Sequence, residues 1–134
     1  MDRSQTSRTA SRQRGVEGTS RCLASNLGAH ARLPGMGAYV ASKAGASALT
    51  RAAALEYIGD GVRINAVGPG PVDTPMSLRL GETQAERDER LRTANPAGRA
   101  ATTKEVADAV LWLLSTEAAF AVGHDRVIDG GASI

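Results

Sequence analysis

Between Ala38 and Pro75 the chain passes from a helix-forming run, through Gly59-Asp60-Gly61, into V-R-I-N-A-V (Val62 to Val67) and then into G-P-G-P-V-D-T-P (Gly68 to Pro75). From Ala38 to Ile58 nothing breaks a helix except Gly45. Ala41, Ala44, Gly45, Ala48 and Ala52 recur there at spacings of three and four, a seam of small residues that another backbone can approach closely. The two glycines around Asp60 stop the helix and turn the chain, and the run after them reads as a short buried strand. A helix that feeds a strand through a tight turn is the pattern of an α/β sheet. From Gly68 onward the prolines and glycines predict a rigid, irregular loop at the strand's C-terminal end, where open α/β sheets bind ligands.

The remaining segments fit around this unit. Residues 76–99 mix Arg, Glu and Asp with isolated leucines (Leu78, Leu80, Leu91), which reads as a mobile, partly helical, lid-like excursion rather than core. Thr102-Thr103-Lys104-Glu105 is a capping box, and Val106, Ala109, Val110, Leu113 and Leu114 follow as a helical apolar stripe with Trp112 packed beside it. D-R-V-I-D-G-G (Asp125 to Gly131) reads as a last short strand ending in a glycine turn. With 42% hydrophobic but only 3% aromatic residues, the interior must be aliphatic.

Residues 1–21 form a separate unit: five arginines against Asp2 and Glu17 give a charge of +3 and leave −1 for the rest. This basic, Ser/Thr-rich head has too little apolar surface to offset its ordering entropy and reads as disordered. A nucleic-acid arm is disfavoured by the lack of interleaved aromatics and of a recognisable binding fold, and a targeting peptide by its two acidic residues. One cysteine, Cys22, excludes an internal disulfide. No secretory signal or apolar run of about 18 residues occurs, so a reducing cytoplasm is expected, with no membrane and no nucleic acid among the partners.

In G-M-G-A-Y-V-A-S-K-A-G (Gly35 to Gly45), Tyr39 and Lys43 stand four residues apart and therefore on one helix face. A free phenol is a poor acid or base at neutral pH, and a neighbouring ammonium favours its ionised form, so the pair is a tunable proton donor. A solvated helix face is the other reading of these two residues. His30 and His124 read as loop histidines rather than ligands, because no metal-ligand spacing surrounds them; no metal is expected.

Y-V-A-S-K-A-G, the preceding S-N-L-G…L-P-G-M-G-A and the following N-A-V-G-P-G-P-V-D-T-P resemble the C-terminal half of a classical short-chain dehydrogenase/reductase. The resemblance runs from about Ala24 to Ile134, with V-I-D-G-G similar to that family's closing strand. It implies a Rossmann-like, doubly wound parallel sheet over residues 22–134. The function it implies is hydride transfer between NAD or NADP and a small alcohol or carbonyl substrate. Tyr39 would exchange a proton with the substrate oxygen and also contact the cofactor, Lys43 would assist it and bind the nicotinamide ribose, and Ser25 would hold the substrate oxygen. Pro69 and Gly70 would shape the approach to the nicotinamide carboxamide, which groups near Val72 and Thr74 would contact. A homo-oligomer through the Tyr39–Tyr57 helix is a further expectation.

The sequence contains no G-x-x-x-G-x-G or G-x-G-x-x-G, nor an Asn-Ala-Gly segment, so the N-terminal dinucleotide-binding half is absent from it. The strand expected before Ser25 is only the stub Thr19-Ser20-Arg21-Cys22-Leu23, interrupted by an arginine. These absences lead to the expectation of an inactive fragment, its head unrelated residues ahead of a truncated reading frame. The alternatives are a non-catalytic module that docks on a partner such as a full-length relative, and a poorly folded product without function.

Overall fold

The structure, a computed structural model, describes residues 18–134. Three parallel strands make one sheet in the order β1 (Gly18–Leu23), β2 (Val62–Pro69), β3 (Asp125–Ile128), with β2 central. Helix α1 (Gly37–Tyr57) connects β1 to β2. Helices α2 (Gln84–Ala94) and α3 (Thr103–Leu114) lie between β2 and β3. This is the α/β architecture expected, and α1 and α3 both pack on β2.

β1 is a complete six-residue strand rather than a stub. It pairs in register from Gly18 opposite Val62 to Leu23 opposite Val67. Arg21 does not interrupt it, because that side chain is exposed while the backbone still pairs. Four residues assigned to the disordered head therefore belong to the sheet, and the remainder of that assignment, residues 1–17, lies outside the described residues. β2 also extends further than expected. Gly68 and Pro69 continue it opposite Val127 and Ile128, and the Pro69 carbonyl accepts from the Asn26 amide at 3.0 Å. A proline at a strand end lacks only a donor, and here the acceptor is what the fold uses.

The core is aliphatic and small: Ala24, Ala54, Ala66, Val67, Leu91, Ala109, Leu113 and Ala118 are buried. Several polar groups are buried with them and are satisfied. Asn65, fully buried in β2, donates to the Ala121 carbonyl at 3.0 Å and accepts from the His124 amide at 2.9 Å. Its neighbour Arg63 donates to the carbonyls of Leu113 (3.0 Å), Ala118 (2.9 Å) and Ser115 (3.1 Å), and to the Thr19 hydroxyl at 3.3 Å. One guanidinium thus closes the C-terminal end of α3, whose carbonyls have no partners inside the helix.

Helix α1 buries Ser47, Thr50 and Ala54. Most of the small-residue seam is not used within the described residues: Ala41, Gly45, Ala48 and Ala52 are exposed, and nothing lies within 4 Å of where a Gly45 Cβ would stand. The close backbone approach is made at one seam residue, Ala44, by Gly28. Segment 76–99 is partly helical, as expected, and part of it joins the core. Leu91, Arg87 and Asn95 are buried, and α2 begins with its own capping box, Thr83 with Glu86.

The predicted box at α3 forms between Thr102 and Glu105, and Arg99 pairs with the same carboxylate at 2.7 Å. The Arg99 hydrogen bond, helped by the Thr102 amide, lowers the Glu105 carboxyl from 4.5 to about 2. A depressed carboxyl contributes stability above its ordinary value and loses it as the pH falls through the folded value. Glu105→Gln is therefore expected to reduce the fall in melting temperature between pH 4.5 and pH 2. Parallel melting curves for the two proteins across that range would contradict the assignment.

Candidate active site

The C-terminal ends of the parallel strands β1 and β2 and the first turns of α1 bring the expected residues to one edge of the sheet. Ser25 follows β1 directly and is 7% exposed. Its Oγ accepts from the Leu27 amide at 3.2 Å, which occupies one lone pair and leaves the hydroxyl proton free to donate elsewhere. Tyr39 and Lys43 lie on one face of α1, with the Lys43 Nζ 5.8 Å from the centre of the Tyr39 ring. The same Nζ donates to the Leu23 carbonyl at 3.2 Å, so the ammonium sits between the phenol and the end of β1, two residues before Ser25.

Gly28 makes this proximity possible. Its φ of +137° lies in the region that favours glycine, and a Cβ there would stand 2.8 Å from the Ala44 nitrogen and 3.0 Å from the Lys43 carbonyl carbon. Gly28→Ala is expected to cost about 2–4 kcal/mol through backbone strain and overlap with α1. Urea unfolding within a few tenths of a kcal/mol of the parent would show that the contact is loose.

The end of β2 lies beside Ser25, and the loop after it begins against Asp129. A Cβ on Gly68 would be 3.1 Å from the Ser25 carbonyl oxygen, and one on Gly70 would be 2.6 Å from the Asp129 Cβ. Val72 and Thr74 sit further along this loop, where the Val72 carbonyl accepts from the Thr74 amide at 2.7 Å. The Thr74 hydroxyl makes a 3.4 Å contact with that carbonyl, and the Val72 N–H has no hydrogen-bond partner among the described residues. A free amide donor beside a hydroxyl suits a carboxamide, which has both an acceptor and a donor.

Two features of the site have no local signal in the sequence. Asn26 donates to the buried Asp129 carboxylate at 3.2 Å, tying the residue after Ser25 to the end of β3. Burial pushes the Asp129 carboxyl up, but hydrogen bonds from Ser133, the Gly131 amide and Asn26 outweigh it and hold the group below its ordinary range. The loop that carries His30 is fastened separately. Asp125 accepts from Ser47 at 2.6 Å and pairs with His30 at 3.0 Å, which places His30 in a structural contact. Among the described residues no three His, Cys, Asp or Glu side chains cluster as a metal site, and no helix is long and apolar enough to cross a membrane.

The chain is 41% identical over 106 residues to the short-chain dehydrogenase RED2 of Pyricularia oryzae, covering 79% of this chain and 38% of that protein. Acetoin dehydrogenase from Enterobacter cloacae superimposes with a TM-score of 0.74 at 32% identity, covering 96% of this chain and 48% of its own. BdcA in complex with NADPH superimposes with a TM-score of 0.76 at 32% identity, over 95% and 50%. The chain thus spans half or less of the length of each of these relatives. The family model described as enoyl-(acyl carrier protein) reductase matches residues 5–133, which carries the likeness into the stretch read as an unrelated head. On that match and these relatives, the chain belongs to the short-chain dehydrogenase/reductase family.

Proposed function

We propose that this chain supplies the proton-transfer and nicotinamide-contacting part of an NAD- or NADP-dependent oxidoreductase acting on a small alcohol or carbonyl compound. The observation that carries the reading is the position of the Lys43 ammonium between the Tyr39 ring and the strand end that leads into Ser25. The nicotinamide cofactor supplies or accepts the hydride when bound. Lys43 would hold its ribose, and the Val72 amide and Thr74 hydroxyl would hold its carboxamide, with Pro69 and Gly70 shaping the approach.

The chain's own residues then manage the proton. The Tyr39 hydroxyl donates a proton to the substrate oxygen in reduction and takes it back in oxidation, while the Ser25 hydroxyl donates a hydrogen bond to the same oxygen. Lys43 keeps a positive charge beside the phenol as negative charge builds there. The Asn26–Asp129 hydrogen bond fixes the loop that starts at Ser25.

The sequence holds no glycine-rich phosphate-binding turn, so the 134-residue chain alone is expected to show no turnover. The test compares this chain with a fusion to the N-terminal half of a relative, following nicotinamide absorbance with a panel of secondary alcohols. Activity only in the fusion supports the reading. A fusion that binds cofactor but never turns over would refute the proton-transfer role. A second reading, a non-catalytic module that associates through α1, is favoured by the exposed seam and by Leu49 and Leu55, 70% and 80% exposed. Light scattering separates the two, since the second requires a stable assembly of the 134-residue chain.

A further inference from the structure

Arg87 is the only buried arginine among the described residues, 3% exposed, although it belongs to the segment whose composition suggested mobility. Burying a guanidinium is unfavourable unless its donors are paired, so the partners show what the burial accomplishes. Nη1 donates to Asp73 at 2.7 Å and to the Ser77 hydroxyl at 3.0 Å, while Nε and Nη2 donate to Asp88 at 3.0 and 2.6 Å. Asp73 lies between Val72 and Thr74, and the Ser77 hydroxyl in turn donates to the Thr74 carbonyl at 2.7 Å. Arg87 therefore reaches Thr74 from both sides, through the preceding side chain and through a hydrogen bond to its carbonyl. Arg90, about one turn further along α2, donates to the Ser77 carbonyl at 3.1 Å and pairs with Glu82 at 2.7 Å, which braces the same corner.

We propose that Arg87 is a positioning residue for the Val72–Thr74 loop: it touches no ligand, and it holds the Val72 amide and the Thr74 hydroxyl in the arrangement that takes a carboxamide. The ligand half of this statement rests on the function proposed above, and the loop-holding half does not. Three nitrogens in a rigid planar fork suit the task, because the single nitrogen of an ammonium cannot reach Asp73, Ser77 and Asp88 from separated positions.

The test uses the 134-residue chain and nuclear magnetic resonance. Arg87→Gln should accelerate amide exchange at Asp73, Ser77 and Leu78 by roughly tenfold or more while β2 and α3 amides change little. It should weaken nicotinamide mononucleotide by about fivefold and leave ribose 5-phosphate, which has no carboxamide, unaffected; Arg87→Lys should recover part of both losses. If Arg87→Gln does not fold, Asp73→Ala removes the acceptor of one arm of the fork and should give the same local pattern at smaller size. Unchanged exchange in the loop, or equal acceleration throughout the protein, would overturn the proposal, as would equal losses for the two ligands. If exchange accelerates locally but the parent shows no nicotinamide mononucleotide response at Val72 or Thr74, the loop-holding role of Arg87 stands and the cofactor reading of the loop is what fails.

Discussion

Tyr39→Phe is expected to lower turnover of the complemented enzyme by roughly 10² or more, the usual scale for loss of a general acid–base group. The substitution keeps the ring and its contact with the Lys43 ammonium and removes only the hydroxyl. The ring is 39% exposed, and no hydrogen bond from that hydroxyl supports the fold among the described residues. Stability should therefore stay near its parental value while the rate falls. Lys43→Met gives a different pattern, because one ammonium serves the phenol, the Leu23 carbonyl and the proposed ribose contact. Both rate and cofactor affinity should drop, with a modest loss of stability. Near-parental turnover of Tyr39→Phe in an enzyme with verified cofactor binding would return the pair to an ordinary solvated helix face.

The second large effect belongs to stability. Arg63→Ala leaves the carbonyls of Leu113, Ser115 and Ala118 without their shared donor and removes the Thr19 contact across the β1–β2 pair. Hydrogen bonds to a charged group contribute about 1.5–3 kcal/mol each, but water replaces part of what is lost at a half-buried site. A net cost of about 3 kcal/mol is expected, a fall of roughly 10–15 °C in melting temperature for a chain of this size. Arg63→Lys should restore only a minor share, since an ammonium cannot span three carbonyls arranged for a planar fork. If Arg63→Ala melts within about 2 °C of the parent, the cap is dispensable and the end of α3 is held by packing.

What could be read from the sequence follows from which interactions are local. Helix α1, its stop at Gly61 and the capping box at Thr102 depend on neighbours within a turn or two, and spacing alone exposes them. Tyr39 and Lys43 were legible for the same reason, since a single helix face brings them together. β1 was not, because its polar residues are held by a backbone ladder to residues 62–67, and no pattern within Gly18–Leu23 announces that partner. Arg63 and Asn65 are polar residues within a strand, and only the fold shows the carbonyls they meet. In segment 76–99 the helix is where a partly helical reading puts it, but the burial of Arg87 was not legible: Arg87 and Arg90 resemble solvated residues until Asp73, Asp88 and Glu82 appear beside them.

The wholly parallel sheet also bears on how the chain reaches its folded state. Every strand pairing among the described residues is distant in sequence, Gly18 with Val62 and Ala66 with Asp125, so no hairpin among them can nucleate the sheet. Helices α1 and α3 can begin to form locally, but the ladder must first close long loops, which makes folding slow relative to a helical chain of equal length. During synthesis β2 emerges well before β3 and waits with its partner edge uncovered. A ribosome that stalls ahead of Asp125 therefore leaves Ala66–Pro69 as an open edge, and an edge of that kind invites chaperones and aggregation.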